Sequence, residues 1–159
     1  MSPATEPRQG MDDPEPLVVL LARALGRYRR AIRAALDAGQ MRDLPRSASW
    51  VVGSLAAGAR TPGELSRTLG VTPQGLSRLS DQLVERGYIR RSPDAGDRRR
   101  VLLSLTDRGR EASSLIAAAV AEVDVGFEAR IGRARLAALR TELAALNKRA
   151  EDSPTARGR

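Results

Sequence analysis

The sequence predicts a mainly α protein with a small β-hairpin that projects as a wing, and three observations carry that prediction. Apolar residues make up 42% of the chain but aromatics only 3%. The core is therefore built from Leu, Val, Ala and Ile, and a chain rich in Ala, Leu and Arg loses little side-chain freedom in helices. Two Thr-Pro pairs, at 61–62 and 72–73, each open an apolar-periodic stretch that a glycine closes, which is helix start and stop chemistry used twice in close succession. Two short strand-like runs, "YIRR" and "VLLSL", are joined by "SPDAGDRRR", where Pro, Asp and Gly supply the turn of an antiparallel hairpin.

Residues 1–16 hold four of the nine prolines and four acids against one arginine, the composition of a disordered arm. From 17 to about 38, Leu17, Leu20, Leu21, Leu25, Tyr28, Ile32 and Leu36 recur at helical spacing and Gly39 ends the run. The other face of this first helix carries Arg23, Arg27, Arg30 and Arg33 as solvated charge. A second helix is expected from near Pro45 through Trp50 and Leu55 to about Ala57. Thr61, Pro62 and Glu64 then hold the positions of a reciprocal capping box, Leu65 and Leu69 share a face, and Gly70 is placed for a left-handed stop. Thr72 caps the next helix, whose stripe is Leu76, Leu79 and Leu83 and whose stop is Gly87. Two short helices joined through Gly70-Val71-Thr72 form a helix-turn-helix, and a hairpin that follows one directly is a wing. After the wing, Thr106 caps a long helix with a break expected near Gly126, and Leu136, Leu139, Leu143 and Leu146 mark a last helix before a tail.

The formal charge is +8, and all but one of the 27 basic residues are arginine. Between residues 60 and 110 eleven arginines face six acids, an excess that points to an anionic partner such as nucleic acid. The chain has no Cys and no His, and Lys148 is its only lysine. Thiol chemistry is excluded, and the commonest general base and metal ligand are missing, which argues against an enzyme, a metal or a cofactor. No apolar run approaches the ~20 residues of a membrane span, and the acidic, proline-bearing start is unlike a signal peptide; a cytoplasmic protein is expected.

Arg98, Arg99 and Arg100 repel one another, which water tolerates and an anion turns to use. At the tip of a wing beside the DNA major groove they meet phosphate charge and the negative potential of a narrow minor groove. Asp97 is expected to hold a neighbouring guanidinium through a charge-assisted bond. At 100° per residue, Gln74, Arg78 and Asp81 lie opposite the stripe of Leu76, Leu79 and Leu83, with Ser77 beside them. Gln74 suits adenine, Arg78 guanine or a phosphate, and Thr72 a phosphate. Asp81 repels phosphate and is expected to orient an arginine.

The stretch from "ELSRTLG" to "LSLTDRG" resembles the core of the MarR-type family, winged helix-turn-helix regulators named for multiple antibiotic resistance. The resemblance rests on Leu83, Glu85 and Gly87-Tyr88-Ile89 at the helix exit, on Asp97 and Arg99 in the wing, and on Leu103 through Gly109 after it. It implies a sequence-specific transcription regulator, most often a repressor, that binds a pseudo-palindromic operator in double-stranded DNA as a homodimer through interdigitating terminal helices. It also implies that the helix over 72–86 is the recognition helix, that Arg99 enters the minor groove and that Asp97 orients it. Apolar excess at both ends (Leu17, Val18, Leu20 and Leu21; Leu136, Leu139, Leu143 and Leu146) supports the dimer, although the two ends packing on each other within one chain would also bury it. A two-fold protein would space its reading heads one or two helical turns apart, at ~10 base pairs per turn. The chain then divides into an arm (1–16), a dimerisation helix and loop (17–44), a winged lobe (45–110), C-terminal dimerisation helices (111–150) and a tail (151–159). Family members also bind small phenolic or anionic effectors in a crevice beside the DNA-binding lobe, which would place Tyr28, Arg46, Trp50 and Arg27 around such a ligand here; sensing through cysteine is excluded. Two other readings stay open: a winged helix used for protein–protein contact, and an architectural DNA coater with little sequence preference.

Overall fold

A computed structural model describes residues 15–152, with side chains through residue 146. The expected arm lies outside the described residues except for Glu15 and Pro16, and residues 153–159 of the expected tail lie outside as well. Among the described residues the order is α1 (Leu17–Ala38), α2 (Ser49–Ala56), α3 (Pro62–Leu69), α4 (Pro73–Glu85), β1 (Ile89–Pro93), β2 (Val101–Leu105), α5 (Asp107–Ile131) and α6 (Arg133–Asp152).

The long α1 and α5 pack against each other, and α2 closes on α5 beside them. Ile32 and Leu36 of α1, Val51, Val52 and Leu55 of α2, and Ala112, Ile116 and Ala119 of α5 form this part of the core. Alanine on α5 matters here, because small side chains let the helix axes approach. The α2 helix begins later than expected. Residues 45–48 form a turn, with the Ala48 amide donating to the Pro45 carbonyl at 2.9 Å and the Ser49 hydroxyl donating to the Arg46 carbonyl at 3.1 Å.

Capping chemistry sets α3 and α4. Thr61 Oγ1 accepts from the Glu64 amide at 3.2 Å while Glu64 Oε2 accepts from the Thr61 amide at 2.9 Å, which satisfies two amides that a helix start leaves open. Gly70 stands at φ 62°, ψ 29°, a left-handed conformation that costs a glycine nothing, and the Val71 amide returns to the Ser66 carbonyl at 3.2 Å. Thr72 Oγ1 accepts from the Gly75 amide at 3.2 Å to start α4. The buried stripe of α4 is Leu76, Ser80 and Leu83, with Leu79 half-buried beside it.

The hairpin pairs Ile89 with Leu105 through to Pro93 with Val101. Its first strand starts one residue later than expected and extends to Pro93; Tyr88, just before it, is buried in the core, and its carbonyl accepts from the Thr106 amide at 3.1 Å. The outer edge of β2 is bonded too, with the Leu103 amide donating to the Arg60 carbonyl at 2.8 Å. Thr106 joins wing to α5: its hydroxyl donates to the Gly87 carbonyl at 2.5 Å and accepts from the Gly109 amide at 3.1 Å. Gly109 lies so close to the Tyr88 carbonyl that a Cβ would stand 2.0 Å from the oxygen.

The break expected at Gly126 does not occur. The α5 helix runs through it to Ile131, and the chain turns at Gly132 (φ 83°). A lone interior glycine costs a helix only about 1 kcal/mol, and Phe127 packs near the Tyr28 ring of α1, with centroids 6.0 Å apart. Packing outweighs propensity there. The α6 helix includes Glu151 and Asp152, two residues that the sequence assigns to the tail, and folds back on α5 with Leu136 buried and an Arg140–Asp124 ion pair at 2.6 Å. Leu17 and Val18 remain 62% and 70% exposed and Leu146 59%, so the two terminal stretches do not cover one another within the protomer.

Candidate nucleic-acid interface and adjoining crevice

The outer face of α4 carries the polar side chains that helical phase assigns to it. Thr72, Gln74, Ser77 and Arg78 are all exposed and border one surface hollow with Gly75. Asp81 lies on the same helix, and its Oδ1 accepts from Arg91 Nη1 of β1 at 2.7 Å. That pair couples α4 to the wing and balances a carboxylate next to a basic surface. Arg90 reaches across the hairpin, its Nε donating to Ser104 Oγ at 3.1 Å.

The wing tip is ordered by its two aspartates. Asp94 Oδ1 accepts from the Gly96 amide at 2.9 Å, and the Asp94 amide donates to the Arg100 carbonyl at 3.0 Å. Asp97 Oδ1 accepts from the Arg99 amide at 3.0 Å, and its carbonyl accepts from the Arg100 amide at 2.9 Å. The expected bond from Asp97 to a guanidinium is therefore replaced by one to backbone: a short carboxylate in a tight turn reaches an amide two residues on before any long side chain. Arg98, Arg99 and Arg100 are exposed, and their guanidinia make no hydrogen bond or ion pair with the described residues. The wing thus presents three uncommitted cations on a backbone fixed from inside.

Behind α4 a crevice of about 980 Å³ opens between α1, the start of α2 and the helix-turn-helix. Trp50, Leu69, Val71 and Leu79 give it an apolar side, and Arg29, Arg30, Arg33 and Arg46 a basic one. Arg33 is committed: it pairs with Asp37 and donates to the Arg42 carbonyl at 3.2 Å. Its hydrogen bond holds the Asp37 carboxyl below the usual carboxylate range. The side chains of Arg29, Arg30 and Arg46 have no hydrogen-bond or ion-pair partner among the described residues. Arg30 and Arg33, expected as plain solvated charge, belong to this wall.

Of the residues that the sequence assigns to an effector, Arg46 and Trp50 line the crevice, whereas Tyr28 and Arg27 do not. Tyr28 lies further toward the start of α1, where its hydroxyl donates to Asp124 Oδ1 of α5 at 2.5 Å. Arg27 stands 5.9 Å from the centre of the Phe127 ring. Both bind α1 to α5.

A MarR family model matches residues 42–100. The chain is 43% identical over 53 residues to the multiple antibiotic resistance protein MarR of Salmonella typhimurium, a match covering 33% of this chain and 37% of that protein; it thus spans just over a third of the curated relatives' length. Solved structures extend the likeness to the flanking helices. A mutant MarR from E. coli complexed with operator DNA is 26% identical with a TM-score of 0.66, over 82% of this chain and 93% of that one. CouR from Rhodococcus jostii, bound to p-coumaroyl-CoA, is 26% identical with a TM-score of 0.68, over 87% and 95%. The family match coincides with the helix-turn-helix and the wing, and the structural likeness continues through the long helices on either side: residues 42–100 are similar to the MarR family's winged helix-turn-helix, and the chain as a whole has the fold of the solved MarR structures.

Proposed function

We propose that this chain is a sequence-specific DNA-binding repressor that acts in the cytoplasm as a homodimer on a pseudo-palindromic operator. One observation carries the reading: the exposed side chains of Gln74, Ser77 and Arg78 on α4, with Thr72 at its cap, stand beside a wing tip whose three guanidinia have no partner among the described residues. With α4 in the major groove, Gln74 reads adenine, Arg78 reads guanine, Ser77 contacts a base edge and Thr72 a phosphate. Arg99 enters the neighbouring minor groove, Arg98 and Arg100 take phosphates, and Asp97 keeps the tip in shape. The operator-bound E. coli relative supports this docking. Residues 45–110 form the reading lobe. Residues 17–44 and 111–150 supply the dimer, whose driving force is the apolar surface that each protomer leaves uncovered.

The crevice is the effector site, and its lining defines the ligand: an apolar body against Trp50, Leu69 and Val71 with negative charge toward Arg29, Arg30 and Arg46. Its volume, about 980 Å³, is at the upper end for ligand pockets and suits something larger than one phenolic ring. The ligand that CouR carries has an aromatic acyl group and a phosphorylated tail. The crevice wall includes Thr68, Leu69 and Val71 of the helix-turn-helix itself, so a ligand that fits only one disposition of α3 and α4 shifts the DNA-binding equilibrium by its difference in affinity.

The test is binding to duplex from the region flanking the chain's own gene, measured across a salt series. The parent is expected to bind one fragment well above bulk DNA. Arg99→Ala weakens binding and lowers the salt slope by about one, and Arg78→Ala costs ~1–3 kcal/mol of discrimination. Equal affinity for every duplex makes the protein an architectural coater, and no affinity for any duplex at low salt overturns the reading.

A further inference from the structure

Where the reading head joins the dimer helices, one side chain gathers three separate segments. Asp43 lies in the loop between α1 and α2. Its Oδ1 accepts from the Tyr88 hydroxyl at 2.7 Å, and Arg108 Nη2 of α5 reaches both carboxylate oxygens, at 2.8 Å and 3.0 Å. Its backbone carbonyl accepts from Arg86 Nη1 at the end of α4 at 2.9 Å. Arg108 closes the ring: Nη1 donates to the Arg86 carbonyl at 2.7 Å, and the guanidinium lies 4.4 Å above the Tyr88 ring. Tyr88 is fully buried, and next to it Gly109 touches its carbonyl too closely for any larger residue. The exit of α4, the entry into α5 and the loop after α1 are thus held at one point.

We infer that Asp43 and Arg108 are positioning residues whose joint fixes the angle of each reading head to the dimer helices and so sets the spacing of half-sites that the protein accepts. This rests on the homodimeric DNA-binding reading above. Asp43 belongs neither to α4 nor to the wing, the two elements proposed to enter the grooves, so its effect on DNA is indirect. The joint suits such a role because it is polar and directional. An apolar contact tolerates sliding, whereas a carboxylate that accepts from a phenol and a guanidinium at once has one good geometry. Spacing is a stringent readout, since one base pair moves a half-site by ~3.4 Å and turns it by roughly 35°.

The experiment compares three duplexes: the operator, and the same half-sites one base pair closer and one base pair further apart. A single half-site serves as control. The parent is expected to favour the operator. Asp43→Asn keeps the size and the acceptor for Tyr88 but removes the charge that Arg108 meets. It should reduce the preference for native spacing about fivefold, with single half-site affinity unchanged, as network substitutions do. Arg108→Gln should do the same, and Tyr88→Phe, which deletes one hydroxyl, should relax spacing to a smaller extent. If these variants discriminate spacing as the parent does, or lose single half-site binding in proportion to operator binding, the positioning role is wrong. A parent indifferent to the second half-site overturns the homodimer reading instead.

Discussion

Tyr28 and Tyr88, the only tyrosines of the chain, both donate to aspartates, Tyr28 to Asp124 and Tyr88 to Asp43. Burial first, and the aspartate bond second, push both phenols up to about 12. The folded state therefore favours the neutral phenol. Stability from these groups is complete below the unfolded tyrosine value of about 10 and is lost as pH rises toward the folded value. A spectrophotometric titration should show no tyrosinate in the native protein near pH 10 and a midpoint close to that of a free phenol in denaturant; ionisation near 10 in the native protein would contradict the buried hydrogen bonds. Single-residue roles were the least legible part of the sequence. Asp43 meets partners 45 and 65 residues away, and no local pattern announces such a contact. Helical phase assigned Tyr28 to the inner side of α1, but only the packing of α5 shows that Asp124 and not the crevice receives it.

The wing shows what an element can do with very few residues. Its ladder ends at Pro93 and Val101, and beyond that two aspartates bonded to backbone amides hold the tip. Asp97→Ala removes the acceptor for the Arg99 amide, so the tip should lose definition and Arg99 its aim. Affinity for the operator should fall by less than in Arg99→Ala, with the thermal midpoint within about a degree of the parent, because an exposed loop contributes little to global stability. An unchanged affinity would mean that the tip holds its shape without Asp97. Elements were the most legible level. Caps such as Thr61, Thr72 and Thr106 act over three or four residues, so the sequence carries the whole interaction. The break was misplaced from Gly132 to Gly126 because both are glycines after an apolar stretch, and what separates them is the contact of Phe127 with α1. That contact is tertiary.

At the scale of the molecule, apolar surface at the two ends of the chain remains open in the protomer, and a second copy is its simplest cover. Leu20 and Leu139 are exposed, so a charge at either costs the protomer fold little. Sedimentation of the parent should give a dimer, while Leu20→Glu with Leu139→Glu should give a folded monomer with operator binding lost and single half-site binding retained. A parent that sediments as a monomer at micromolar concentration would count against the assembly. The uncovered apolar surface was legible because excess leucine at both ends shows in the sequence. The crevice was legible only in part, because its walls come from α1, α2 and the helix-turn-helix, and Arg29, Arg30 and Arg33 look in sequence like any solvated charge. Trp50 adds a practical consequence. It is the sole tryptophan of the chain, 37% exposed, on the wall that meets Leu69 and Val71. Indole emission shifts in colour when water beside the ring is displaced, so the protein carries its own fluorescent probe at that spot. Candidate compounds can be screened by light alone, without label or DNA, and the same signal would report any change in how Leu69 and Val71 of the helix-turn-helix meet that wall.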